Sequence, residues 1–134
     1  MILYVDASAL LKLYLEEPDS PRARELLVDP RDWTTGRHTL VEVRRNLVRL
    51  LQGTSLAEYR RWFDRHWATM SVVELSERVC LRAADLAEAT GAGTLEALHL
   101  GAAHEAGDGR LPVVTFDTRL ADAARSLGWT VLGA

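Results

Sequence analysis

The 134 residues are 48% hydrophobic and 26% charged, enough apolar material for one domain of ordinary size with its own core, which excludes a disordered chain. A formal net charge of -3 excludes holding nucleic acid by bulk electrostatics alone, so a nucleic-acid partner needs a metal ion or a local basic patch. The single Cys80 leaves no intrachain disulfide, the N-terminus has neither a basic start nor a small-residue cleavage site, and no apolar run approaches the roughly 18 residues of a membrane span, so a cytoplasmic protein is expected.

Ile2, Leu3, Tyr4 and Val5 form a short apolar run of the kind buried on both faces of a parallel sheet, and Asp6 follows directly. Leu10, Leu11, Leu13, Tyr14 and Leu15 predict a helix that closes at Glu16, Glu17 and Pro18. Ser20 before Pro21 predicts the cap of a second short helix, running to about Val28. After a turn at Asp29, Pro30 and Arg31, the residues Trp33, Thr34 and Thr35 predict a strand that ends at Gly36. From Thr39 onward Leu40, Val43, Leu47, Leu50 and Leu51 recur at helical spacing until Gly53. Ser55 and Glu58 have capping-box spacing and are expected to open the next helix, whose Tyr59, Trp62, Phe63, His66 and Trp67 make the bulkiest stripe in the chain. Val72 and Val73 predict a strand, and Ser76 caps a helix with Val79, Cys80, Ala83, Leu86 and Ala87 facing inward. Thr94 opens another helix, Pro112, Val113, Val114, Thr115 and Phe116 predict a strand, residues 120–127 a helix, and Thr130, Val131 and Leu132 a last strand. This alternation, with a helical pair between the second and third strands, predicts a parallel α/β sheet with helices on both faces.

Four carboxylates stand where elements begin. Asp6 and Asp117 each follow a buried strand, and Glu42 and Glu96 lie in the first turns of helices. In a right-handed parallel sheet such positions converge on the edge formed by the carboxyl ends of the strands. Two like charges about 4 Å apart cost on the order of 4 kcal/mol at an effective dielectric near 20, so clustered acids either protonate or bind a cation. Oxygen donors without a Cys or His cluster suit Mg²⁺ or Mn²⁺, which activates water and steadies the charge on a phosphodiester; the reaction class implied is a nuclease. Each acid also has a simpler reading. Asp6 and Asp117 serve as N-caps, Thr39 and Glu42 complete a capping box, and Glu96 complements a helix macrodipole. It is the four together that favour the site.

The VDASALLKLY opening, the segment from Thr39 to Glu42, GTLEALHLGAA from Gly93 and VVTFDTRLADAA from Val113 together resemble a PIN-domain protein, in particular the VapC-type toxins of type II toxin–antitoxin pairs. The resemblance covers essentially residues 1–134. It implies a single-domain, three-layer α/β fold with a parallel, roughly five-stranded sheet, and a metal-dependent endoribonuclease that forms homodimers and is inhibited by a small cognate antitoxin. Asp6, Glu42 and Asp117 match the family's metal-binding acids. Glu96 stands where the family usually has Asp, and its extra methylene moves the carboxylate by about 1.5 Å. On this reading Asp6, Glu42, Glu96 and Asp117 are catalytic, with Asp6, Glu96 and Asp117 on Mg²⁺ or Mn²⁺. Ser8 and Thr115 orient carboxylates or a metal water, although helix capping and strand propensity account for them equally well.

Arg44 and Arg45, with Arg49, Arg60, Arg61 and Arg65, are candidates for RNA phosphate contacts, since an acidic site does not attract RNA unaided. His99, three positions after Glu96, reads as a packed or orienting residue more readily than as a ligand, while His38, His66 and His104 show no metal spacing. Cys80 reads as a buried small hydrophobe, Asp122 as a solvated helix residue, and the aromatic stripe as packing against a neighbouring helix or chain. A haloacid-dehalogenase-type phosphatase would want Asp where Ser8 stands, a receiver domain would want a late lysine where the chain has only Lys12, and no G-x-G-x-x-G follows a strand. The rival that remains is a PIN-like binding module whose acidic pocket holds an arginine from a protein partner.

Overall fold

The apolar run before Asp6 forms β1 (Leu3–Val5), the central strand of a five-stranded parallel sheet of order β3-β2-β1-β4-β5. Its other strands are β2 (Trp33–Gly36), β3 (Ser71–Val73), β4 (Val113–Thr115) and β5 (Val131–Gly133). The computed structural model describes all 134 residues. Tyr4 is in register with Thr34 on one side and Val113 on the other. Because successive strand side chains point to opposite faces, Leu3, Val5 and Val114 enter one core and Tyr4 and Val113 the other. That is why β1 reads as an unbroken apolar run: both of its faces are dry.

The first core is covered by α1 (Ala7–Tyr14), α2 (Ser20–Leu26), α3 (Thr39–Leu50) and α4 (Gly53–Thr69), which contribute Leu10, Tyr14, Val43, Leu47 and Phe63 to it. The second is covered by α6 (Thr94–Gly107) and α7 (Thr118–Ser126) and is lined by small residues, Ala102, Ala103, Ala123 and Ala124, beside Leu100 and Leu120. The remaining helix, α5 (Glu77–Thr90), packs on α6 rather than on the sheet. This contact is close: a Cβ added at Gly101 would lie 2.9 Å from both the Ala83 Cβ and the Val79 carbonyl oxygen. No helix is long and apolar enough to cross a membrane.

Several local expectations give way to tertiary contacts. Helix α4 begins at Gly53, whose φ of +58° lets the chain turn out of α3 and re-enter a helix at once. The Ser55–Glu58 capping box therefore does not form, and Gln52 is the N-cap without a side-chain bond. Asp19, not Ser20, is the N-cap of α2, and the Ser20 hydroxyl instead donates to the Leu15 carbonyl (2.8 Å) and accepts from the Glu17 N–H (3.0 Å). Cys80 is exposed, contrary to the inward position its helical spacing suggested, because α5 is an outer helix that buries only Val79 and Ala83. The aromatic stripe of α4 packs inward only in part: Phe63 is buried against Tyr14, whose hydroxyl lies 2.6 Å from His66 Nδ1, while Trp62 is exposed.

The strand order fixes where a ligand can sit. From β1 the chain first builds β2 and β3 to one side, then returns to place β4 and β5 on the other. The connections leaving the carboxyl ends of β1 and β4 therefore diverge and open a crevice between them.

Candidate active site

Asp6 ends β1 and opens α1, whose first turn it caps by accepting from the Ala9 N–H at 3.0 Å. The Ser8 hydroxyl donates to both Asp6 oxygens (2.7 and 2.9 Å), and the Thr115 hydroxyl donates to Oδ2 at 2.6 Å. These hydroxyls in turn accept backbone N–H groups, Ser8 from Phe116 at 2.9 Å and Thr115 from Asp117 at 3.0 Å. Asp117 caps α7 through the N–H groups of Arg119 and Leu120. Capping and site membership are thus the same arrangement for both aspartates. Asp6 is 3% exposed, and this burial raises its pKa from the ordinary 3.8, opposed by the charge of His99 and by the bonds from Thr115, Ser8 and Ala9.

Glu42 comes from the other side. It does not complete a capping box with Thr39, whose hydroxyl pairs with Thr35 at 2.7 Å while His38 takes the N-cap position. Instead its Oε1 accepts from His99 Nε2 at 2.8 Å. A carboxylate only accepts, so Nε2 carries a proton, and the other ring nitrogen, Nδ1, lies 2.8 Å from the Tyr4 hydroxyl oxygen. Burial pushes the Glu42 pKa up, but the hydrogen bond and charge of His99, with His38, outweigh it and hold the carboxyl below its ordinary range.

His38 stacks on His99 with ring centroids 4.1 Å apart, its Nε2 lying 3.8 Å from Glu42 Oε1. Its side chain is only 10% exposed, and neither ring nitrogen has a hydrogen-bond partner. Burial and the neighbouring His99 push its pKa down to about 4 despite Glu42. The ring fits because β2 ends in glycine, where an added Cβ would lie 2.6 Å from His38 Cε1. The view that His38 shows no metal spacing is corrected: His38, Glu42 and His99 each place a donor atom within 4.8 Å of the others. The i to i+4 step from His38 to Glu42 was the available signal. The reading of His99 as an orienting residue agrees with the structure.

Asp6, Ser8, Glu42, Glu96, His99 and Asp117 line a single cleft of about 100 Å³ with Leu95. Glu96 is half-buried and folds back toward the start of α6, its Oε2 3.0 Å from where a Cβ on Gly93 would sit. Arg44 and Arg45 are not in this cleft. They line a separate open groove with Leu40, Val41, Val48 and Arg60. Asp122 is exposed on α7.

A family model for the PIN domain matches residues 3–126. The chain belongs to the PIN-domain family. Within it this PIN domain is VapC-like. Ribonuclease VapC45 of Mycobacterium tuberculosis is 33% identical over 138 residues, an alignment that covers 99% of this chain and 96% of the relative. The crystal structure of FitAcB from Neisseria gonorrhoeae matches the PIN domain with a TM-score of 0.75 at 18% identity, covering 98% of this chain and 96% of that one. A toxin–antitoxin complex from Klebsiella pneumoniae matches with a TM-score of 0.65 at 15% identity, covering 87% and 88%.

Proposed function

We propose that this PIN domain is a metal-dependent endoribonuclease and the toxin of a type II toxin–antitoxin pair. The observation that carries the reading is the convergence of Asp6, Glu42, Glu96 and Asp117, which arrive from four separate elements and line one cleft at the switch point of the sheet. The ribonuclease name of the 33% identical relative supports RNA cleavage, and the toxin–antitoxin neighbour supports an antitoxin partner.

The residues fit a hard divalent cation. Of the four acids only Glu42 has imidazole partners within salt-bridge distance, His38 and His99. Asp6 is hydrogen-bonded by neutral donors, which with the charge of His99 do not offset its burial, and with Asp117 and Glu96 it offers oxygen donors of the kind that Mg²⁺ or Mn²⁺ takes. When bound, such a cation supplies Lewis-acid charge to a phosphodiester and lowers the pKa of water.

The chain's own residues set the stage for this. Ser8 and Thr115 fix the Asp6 carboxylate and tie the start of α1 to the end of β4, so that Asp6 and Asp117 keep their relative position. His99 fixes Glu42 against the same cleft. We assign residues 1–134 to one PIN domain acting as a homodimer in the cytoplasm, with Arg44 and Arg45 on phosphates beyond the cleft. A cognate antitoxin silences the site by placing an arginine or lysine among the acids.

The test is cleavage of end-labelled structured RNA in Mg²⁺, in Mn²⁺ and in EDTA, beside a folded Asp6→Asn variant. Cleavage that needs the metal and is lost in Asp6→Asn is expected. Folded wild-type protein that cuts no RNA in a panel with either ion would instead favour an acidic pocket that binds an arginine-bearing partner.

A further inference from the structure

We propose that His38, Glu42 and His99 form a binding site for a borderline transition-metal dication of the Zn²⁺ class, separate in its nitrogen donors from the all-oxygen acids beside it. Three observations converge on it. The donor set is two imidazoles and one carboxylate, the composition that suits Zn²⁺ and its neighbours and not Mg²⁺. All three donor atoms lie within 4.8 Å of one another, and two of the separations are near those of a formed site. Ligands at about 2.05 Å from a tetrahedral ion stand about 3.3 Å apart, and the observed separations from Glu42 Oε1, 2.8 Å to His99 Nε2 and 3.8 Å to His38 Nε2, bracket that value. The third observation is His38 itself, a ring only 10% exposed whose two nitrogens have no partner. A buried polar atom without a partner is costly, and a metal ion among these three donors satisfies one of the two, Nε2.

For His99 an outer partner is also present. Zinc-bound histidines commonly donate their second ring nitrogen to a fixed acceptor. With His99 Nε2 turned to the metal, its proton moves to Nδ1 and is donated to the Tyr4 oxygen, already 2.8 Å away. Tyr4 is fully buried on the central strand, so this partner is rigid. Three protein ligands leave a fourth position for water or a small anion.

Metal binding here does not require that the protein cut RNA, and it is tested without RNA. The purified full chain, stripped with chelator and kept in excess Mg²⁺, is titrated with Zn²⁺ by calorimetry and with Co²⁺ by visible absorption. One equivalent of Zn²⁺ is expected to bind, with tetrahedral Co²⁺ bands. Affinity should fall about tenfold in Tyr4→Phe, further in His38→Gln and in His99→Gln, and remain unchanged in His104→Gln. Nitrogen-15 spectra of the wild-type histidine rings give a readout that needs no variant: His38 and His99 should show coordination shifts and His66 and His104 none. The proposal is overturned if His38→Gln binds Zn²⁺ as tightly as wild type, if the rings of His38 and His99 do not respond, or if Zn²⁺ binding depends on Asp6 and not on His38.

Discussion

On the β1/β4 side of the cleft, Asp6 and Asp117 are held by hydroxyls and backbone N–H groups from Ser8, Ala9, Thr115, Arg119 and Leu120. On the α3/α6 side, Glu42 is held by His99, which is held by Tyr4, partners 57 and 95 positions apart in the chain. The first set of partners is neutral and, even with the charge of His99, does not offset the burial of Asp6, so its pKa rises. The second set carries positive charge when protonated, and the Glu42 pKa falls. Two carboxylates in one small cleft are therefore set to opposite electrostatic conditions. Burial prevails at Asp6, whereas at Glu42 the imidazoles of the fold prevail over burial.

The largest break in this contrast comes from Asp6→Asn. Loss of several kcal/mol of charge stabilisation lowers cleavage by roughly 10²-fold or more, measured on end-labelled RNA. The same variant is expected to be more stable than wild type in EDTA at pH 7. Asp6 has its folded pKa raised above 3.8, so its contribution to stability is present below that pH and lost as pH rises through the folded value. Thermal unfolding at pH 4 and pH 7 checks this, and a lower Tm for Asp6→Asn at pH 7 would refute the buried-charge account. Mg²⁺ should raise the wild-type Tm and leave that of the variant unchanged.

His99→Gln tests the other side. Removing the group that orients Glu42 is expected to cost about 10- to 100-fold in kcat with little change in KM. Because His99 helps hold the Glu42 pKa down, the acid limb of the pH–rate profile should move to higher pH. Thr115→Val leaves the Asp117 N–H without its acceptor and removes one of the donors to Asp6, at about 1–3 kcal/mol of stability by urea unfolding. The smallest effect is expected from Glu96→Asp, a shift of at most about tenfold in the Mg²⁺ midpoint of cleavage, or about 1.4 kcal/mol.

What could be read from the residues follows the same divide. Asp6 and Asp117 each stand immediately after an apolar run, so their place at a strand end is a local fact, and the parallel sheet follows from the alternation of elements. The Tyr4–His99–Glu42 chain is not local. Tyr4 reads as one more apolar residue of a buried strand, and nothing in its neighbours shows that its hydroxyl meets a ring on α6. The two capping-box patterns show the converse error. Thr39–Glu42 and Ser55–Glu58 have the right spacing, but Thr35 and His99 claim the first pair, and the tight turn at Gly53 starts the helix before the second. Cys80 failed for a similar reason, since helical spacing marks a face but not whether a second layer covers it.

Glu96 and His99 ride on α6, and Gly101 lies nearly opposite His99 around that helix, against α5. With the Val79 carbonyl and Ala83 already at contact, α6 has no slack in that direction. The outer helix therefore works as a backstop that gauges the cleft from behind. One methyl group at position 101 would push α6 toward the sheet, altering the aperture between Glu96 and Asp117 without touching any group that lines it.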